Sequence, residues 1–581
     1  MREGFAGASL YEICDSYLAE DIKKIAALTR KKIPTRKAEI ISFIGKELEN
    51  EENILRYWNK LDDLQKAAVS EALYSPPFGT RKFLLKYGTL PHYGRHRSHE
   101  HRMPTYLNLF IFDDQIPKEL VSPLKRFVPR PRQDKLQSTV TVPTAIGREY
   151  GTELSALSDV TTVLQLIAQN KISVSDKTKL ATKTSIKKIT EVLEGGDFFP
   201  PEERESKWEQ IPGPVKAFAW PVLMQSGGLA RLKGSKLELT KEGKKAAGDS
   251  PEHTIKLLFL KWMYSEILDE FSRIDTIKGQ RGKGKRHFSS PASRRGMIID
   301  ALRQAPVNEW IAVDELSRYM GANSLDFFVT SDRWSLYICD PQYGSLGYDG
   351  YGTWNIVEKR YLLAFLMEYL ATLGIIDLYY SDPREAEPDF ADLWGSDELK
   401  FISRYDGLTY VRVNGLGAWC LGCSEDYSTP HQEQNPTLTV MSNFEVVAQE
   451  MIMSDKIYLE SFTRAISDNV YLLEQNTILK ALDRGDIVES ITAFLQQRSN
   501  SELPATVSMF LSDIGKRSRA FALKGDAIII EAKDAEQLMM VSMDPQLKRH
   551  ILCSNGLFVV VPEQEKTVFL KKMRDRGYVI R

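Results

Sequence analysis

Four short stretches carry residue types that could do chemistry. Gly525–Lys533 reads Gly-Asp-Ala-Ile-Ile-Ile-Glu-Ala-Lys, an apolar strand ending in Glu531 and Lys533, with Asp526 at its start and Asp513 upstream. Two carboxylates can hold magnesium while a lysine supports the attacking water, which is phosphodiester-cleaving chemistry. Cys420 and Cys423 have the spacing of a thiol redox pair. That chemistry needs the first thiol at a helix N-terminus after a central strand, and no second cysteine pair stands by to complete a zinc site. Gly279, Gly284 and Lys285 fit the spacing of a phosphate-binding loop, but Arg286 follows. A hydroxyl is needed there for magnesium, and the loop should leave a buried strand, whereas a helix is expected before it. His92, His96, His99 and His101 crowd one segment without ligands from a second element, so a basic loop is expected rather than a zinc site. The sequence therefore predicts no catalytic residue, no metal and no cofactor, with a magnesium-dependent nuclease on Glu531 and Lys533 as the alternative.

The more abundant chemistry is phosphate binding by clustered cations. Lys23, Lys24, Arg30, Lys31, Lys32, Arg36 and Lys37 gather around one turn. A second cluster holds Lys171, Lys177, Lys179, Lys183, Lys187 and Lys188 ahead of Arg231, Lys233 and Lys236. A third runs through Lys278, Arg281, Lys283, Lys285 and Arg286 to Arg294 and Arg295. Such clusters release counterions when they meet a phosphate backbone. The formal net charge of −1 excludes a uniformly basic coat but leaves local patches free to act. Tyr343, Tyr348, Tyr351 and Trp354 lie in a glycine-rich loop, where they could stack on unpaired bases but are expected to pack as part of a large insertion.

Elements that could position these groups follow from apolar spacing. At 581 residues and 43% hydrophobic content, several cores are expected. Ile22, Ile25 and Leu28, then Ile40, Ile41 and Ile44, predict a helical hairpin around Pro34 within a helical unit over 1–75. A Pro-, Gly- and His-rich stretch over 76–150 is expected as loop and linker. Over 151–254 the pattern predicts winged-helix-like modules, with a basic helix at Thr184–Leu193 as the recognition helix and a hairpin around Lys233-Gly234-Ser235 as the wing. A further helical and winged-helix-like domain is expected over 255–430. Over 435–581 the pattern is strand (Leu438–Ala448), helix (Leu459–Ile466), strand (Val470–Leu473), helices through Lys516, and strands at Ala527–Ile530 and Leu557–Val561. The fold class is thus α+β and multi-domain. Five scattered cysteines point to a reducing compartment. No run approaches the ~18 apolar residues of a membrane span, so a cytoplasmic protein with no membrane partner is expected.

Several of these stretches resemble known families. The hairpin with Lys37-Ala-Glu-Ile-Ile opening its second helix resembles the SAP motif, a small DNA-binding element, without the usual turn glycine. The Glu-x-Lys strand resembles the core of restriction-type nucleases. Leu472, Thr477, Ile478, Ala481, Gly485, Asp486, Ile487, Ile491, Leu495, Ser499 and Pro504 resemble, in order, the N-terminal region of the XPB helicase. Ala217-Phe-Ala-Trp-Pro221, Ser272-Arg-Ile-Asp275 and Ser335–Gln342 resemble the leading part of bacterial proteins that carry this helicase-associated domain. The resemblance implies an α/β domain, likened to the mismatch-recognition domain of MutS, that helps a motor engage DNA. It also puts Glu531 and Lys533 on a structural strand. The motor's own motifs are missing, so unwinding activity is not implied. What is implied is a non-enzymatic DNA-binding accessory factor in repair, transcription or phage defence, with duplex or single-stranded DNA and a helicase as partners. A protein-interaction scaffold is the remaining alternative.

Overall fold

The described residues condense around four separate apolar cores. The computed structural model describes residues 7–92, 103–142, 146–203, 209–282, 284–348, 354–430, 436–484, 486–518, 520 and 525–580, and the backbone of 96–97 and 101–102. It is a mixed α/β protein with small sheets, and its named strand pairs are antiparallel.

The first core joins Leu10 to Val128. Around it stand α1 (Leu10–Cys14), α2 (Ala19–Ala27), α3 (Lys37–Glu49), α4 (Glu51–Trp58), α5 (Asp63–Tyr74), α6 (Thr80–Tyr87) and α7 (Lys118–Lys125), with a small hairpin of β1 (His96–Arg97) and β2 (His101–Arg102). The expected hairpin is α2 and α3, whose Ile22, Ile25, Ile40, Ile41 and Ile44 are all buried. The stretch expected as linker behaves differently. Phe78, Phe83, Leu107, Leu109, Phe110 and Leu124 enter the same core. Loop-forming Pro and His residues alternate there with large apolar anchors, and it is the anchors that set the fold.

The second core runs without a break from Leu136 to Leu421. Its elements are β3 (Arg148–Tyr150), α8 (Glu153–Ala168), α9 (Lys183–Thr190), α10 (Lys216–Ser226), β4 (Ala230–Lys233), β5 (Lys236–Leu239), α11 (Lys241–Ala246) and α12 (Pro251–Trp262). They continue with β6 (Ile277–Lys278), α13 (Pro291–Leu302), β7 (Trp310–Ala312), α14 (Val313–Ala322), β8 (Tyr337–Ile338), α15 (Glu358–Ala364), β9 (Ile376–Tyr380), β10 (Leu408–Val413) and α16 (Gly415–Leu421). Apart from β8 in the insertion between α14 and α15, one order of elements occurs twice: helix, strand, helix, helix, antiparallel strand pair, the second pair lying within a four-stranded sheet. The first pass is α8, the extended segment 172–174, α9, α10, β4 and β5; the second is α13, β7, α14, α15, β9 and β10. The two helix-rich units expected over 151–254 are therefore the two halves of one unit.

In both passes the third helix is a core element. Every residue from Lys216 to Met224 is buried, and α15 runs into a buried π-helical turn over Phe365–Leu370. A helix that is apolar on every side belongs inside. Arg273 links the two, with its guanidinium 3.5 Å from the Phe218 ring centre and its Nε donating to Glu368 at 2.8 Å. Further ion pairs lie in the same interior: Arg294 with Asp269 and Arg295 with Glu270, each at 2.6 Å. Arg294 and Arg295, expected on a cationic loop, face inward from the first turns of α13 and stack over Tyr361 and Trp262.

The third core spans Leu438 to Ile514. It contains β11 (Leu438–Val440), β12 (Glu445–Ala448), α17 (Met453–Phe462), β13 (Thr463–Ser467), β14 (Val470–Leu473), α18 (Gln475–Arg484), α19 (Val488–Ser499) and α20 (Ala505–Ser518). The expected strand over 438–448 is a hairpin, and the expected helix over 459–466 ends at Phe462, where β13 begins. The fourth core is small and separate, built by β15 (Ala527–Glu531), α21 (Ala535–Met543), α22 (Pro545–Lys548), β16 (Cys553–Asn555), β17 (Phe558–Pro562) and α23 (Lys566–Asp575). The last quarter thus has two cores rather than one. The third core docks on the second through α17 against α8, where the Ser158 and Ser454 hydroxyls bond at 2.9 Å. The first core docks through α6 against α14, where Arg318 donates to the Leu85 carbonyl at 2.9 Å.

Candidate nucleic-acid interface

The basic surface of the first pass is built by helix α9 and the β4–β5 hairpin. Thr182 caps α9 by accepting from the Ser185 amide at 3.3 Å. Ser185 and Ile189, one turn apart, point inward, so Lys183, Lys187 and Lys188 point outward. The Ser185 hydroxyl accepts from the Ser173 amide at 2.8 Å, which ties α9 to the segment 172–174. That segment in turn pairs with the hairpin, as the Val174 amide donates to the Ser235 carbonyl at 3.0 Å. Gly234 turns the hairpin with φ of 62°, a left-handed conformation suited to glycine. Helix and hairpin therefore present Lys183, Lys187, Lys188, Arg231, Lys233 and Lys236 from one continuous scaffold, all exposed.

The charge on this scaffold is poorly neutralised. Over 171–188 and 231–245 the sequence has twelve Lys and Arg against three Asp and Glu, so an anion would relieve repulsion that water and salt now screen. Lys233 pairs with Glu238 at 2.9 Å, while Lys183, Lys187, Lys188, Arg231 and Lys236 make no ion pair among the described residues. Lys233 and Lys236 also sit directly opposite each other in the register.

The other two cation clusters are more committed. In the N-terminal hairpin, Lys31 pairs with the buried Glu47 at 2.6 Å, Lys37 donates to the Asp15 carbonyl at 2.6 Å, and Lys24 reaches Glu20 at 3.2 Å. Lys32 and Arg36 stay exposed, the latter 3.9 Å from Glu39. In the third cluster Lys278 donates to the Asp275 carbonyl, and Arg281, Lys285 and Arg286 are exposed. Lys283 lies outside the described residues, as do Tyr351, Gly485 and His99.

The phosphate-loop and thiol-pair motifs are not assembled among the described residues. Gly279 follows a two-residue strand, and a Cβ there would lie 1.9 Å from the Ser335 carbonyl oxygen; Lys285 and Arg286 sit in a short 3-10 turn rather than at a helix N-terminus. Cys420 is near the C-terminal end of α16, and burial pushes its thiol up to about 12. Glu531 and Lys533 are exposed at the end of edge strand β15, while Asp513 stands on α20 in another core, paired with Arg517 at 2.6 Å. No group of three or more His, Cys, Asp or Glu among the described residues is placed to hold a metal ion. Of the apolar positions named over 472–504, Ile478, Ala481, Ile491 and Leu495 are fully buried; they build the third core.

Two features were missed from sequence. The helix that would read a groove in a helix-plus-hairpin arrangement is α10, not α9, and α10 is buried; the unbroken apolar run Ala217–Met224 is the signal that would have told them apart. Trp334 and Trp394 are exposed at 60% and 81%, which composition alone does not reveal. No described helix is long and apolar enough to cross a membrane. Compared with protein-family models and with curated proteins, the chain matches none.

Proposed function

We propose that this chain is a non-enzymatic, cytoplasmic DNA-binding protein that grips the duplex backbone and serves as an accessory to a helicase or related DNA-processing machine. The observation that carries the reading is the poorly neutralised cation surface of α9 and the β4–β5 hairpin. In this reading the repeated helix–strand–helix–helix–hairpin order is a tandem of winged-helix-like modules. Their third helices, which would enter a major groove, are packed inside the shared core. Contact then falls to the second helix and wing of the first module, and binding is to phosphates rather than base edges. The helicase part of the reading rests on the XPB-like spacing over 472–504. The SAP-like hairpin would add Lys32 and Arg36.

Fluorescence anisotropy with a labelled duplex tests it. If the six cations of the α9 face each meet a phosphate, affinity falls about a thousandfold between about 50 and 200 mM salt. The Lys183→Ala, Lys187→Ala, Lys188→Ala triple variant then loses about half the salt slope. Absence of duplex binding at low salt, or an unchanged slope in the triple variant, removes the proposal.

A further inference from the structure

A second surface on the same core has a different chemistry. Four aromatic side chains stand out from the insertion between α14 and α15 and from the loop before β10: Trp334 at 60% exposure, Tyr343 at 42%, Tyr348 at 76% and Trp394 at 81%. Tryptophan is highly buried on average, and a contiguous exposed apolar patch marks a contact surface. These rings are held in place rather than loose. Trp334 and Tyr348 meet edge to face with centres 4.8 Å apart. Gly347 lies flat against the Trp334 indole, so close that a Cβ would come within 2.4 Å, and Gly395 lies against the Tyr343 ring in the same way, at 2.7 Å. The Ser345 hydroxyl donates to the Trp334 carbonyl at 2.8 Å, and Asp332 accepts from the Trp334 amide at 3.1 Å.

The basic loop is anchored to this aromatic turn at both ends. Lys278 pairs in register with Tyr337, and Gly279 packs on the Ser335 carbonyl. At the far end the Ser331 amide donates to the His287 carbonyl at 2.9 Å. Arg281, Lys285 and Arg286 thus lie on the loop whose two ends are tied to the chain on either side of Trp334. Acidic residues are neighbours too: Asp275, Asp397 and Glu398 line a cleft with Lys278 and Tyr343, and Asp340 and Asp332 are engaged in capping the turns that hold Tyr343 and Trp334. Cations beside ring faces is the arrangement that holds unpaired nucleic acid, with phosphates on the cations and bases on the rings.

We propose that this surface binds an unpaired stretch of nucleic acid. Base faces stack on Trp334 and Tyr348, Tyr343 and Trp394 extend the platform, and Arg281, Lys285 and Arg286 meet the backbone. This goes beyond the duplex reading and does not depend on the α9 lysines.

The test uses the full chain with labelled oligo-dT, oligo-U and a duplex, measured by anisotropy at low salt. Trp334→Ala and Tyr348→Ala are each expected to weaken oligo-dT binding by at least about fivefold, with duplex binding unchanged and Trp334→Phe within about twofold of wild type because a ring face remains. The Lys183, Lys187, Lys188 triple variant is expected to keep oligo-dT binding; if it alone loses the duplex, the two surfaces are separate. Comparison of oligo-dT with oligo-U shows whether the strand is DNA or RNA. The proposal is overturned if wild type does not bind either oligonucleotide, if the folded alanine variants bind as wild type does, or if Trp334→Phe loses as much as Trp334→Ala. It is equally overturned if a proline-rich peptide binds this surface and the oligonucleotides do not. If the wild-type chain binds the oligonucleotides but no duplex at low salt, only the α9 reading falls.

Discussion

Lys216 offers the sharpest check on whether α10 is a core helix or a reading helix. It begins the third helix of the first pass, the helix that the proposed winged-helix reading would otherwise set against DNA. Here its ammonium is 2.8 Å from Asp159 Oδ2, and both side chains are almost wholly buried, at 1% and 0% exposure. It also donates to the Gly196 carbonyl at 3.1 Å and the Glu194 carbonyl at 3.2 Å, while Asp159 Oδ1 accepts from the Glu194 amide at 2.7 Å. Burial raises the Asp159 carboxyl above the ordinary carboxylate range, and the facing carboxylate holds the Lys216 ammonium above its own ordinary value. Lys216→Met strands the carboxylate, and removing one partner of a buried pair costs about 3–5 kcal/mol. Adding Asp159→Asn removes the stranded charge and keeps an acceptor for the Glu194 amide, so the double variant recovers more than half of the loss. The deficit of the single variant is largest near about pH 7 and shrinks toward about pH 4.5, because the raised Asp159 then binds its proton in the folded state and the penalty of its charge disappears. Urea melts at the two pH values read this, and duplex binding below the transition reads function. A wild-type melting curve for Lys216→Met, or a duplex salt slope lowered by about one phosphate's worth in folded protein, would refute the assignment of α10 to the core.

Two other outcomes follow from burial. Thiol labelling of the native protein should modify Cys339, Cys423 and Cys553 and spare Cys14 and Cys420, which are buried; all five should react in denaturant, and rapid native labelling of Cys420 would contradict the raised thiol pKa. Deleting 525–581 should leave the other three cores intact, since the fourth shares no buried residue with them; a thermal transition lost or shifted by more than a few degrees for the remaining chain would show that the fourth core supports its neighbours.

How much of this was legible in sequence depended on which contacts made the feature. The α2–α3 hairpin and the β4–β5 hairpin were readable because local spacing and a Lys-Gly-Ser turn decide them. The fusion of 151–254 with 255–430 was not, because it depends on Phe218, Arg273 and Glu368 meeting across long stretches of chain. Arg294 and Arg295 looked like part of a cationic loop until Asp269 and Glu270 were found beside them; charge partners distant in sequence leave no periodic trace. The helical spacing over 472–504 was visible, but spacing alone could not show that its apolar positions close a core without Ala527–Val561. For the candidate site, the lysines of α9 and the hairpin were all named from sequence, and the structure brings them onto one scaffold. The exposed tryptophans beside the third cluster were missed, since solvent exposure of a ring is a property of what fails to cover it.

The face-to-face packing of α10 with the end of α15 also bears on inheritance. Each covers part of the other within one continuous core, so a recombination cut between residues 250 and 290 would expose apolar surface on both fragments. Each would aggregate before it could be selected for anything. The two modules can therefore diverge in their surface residues but must be copied, moved and lost as one piece.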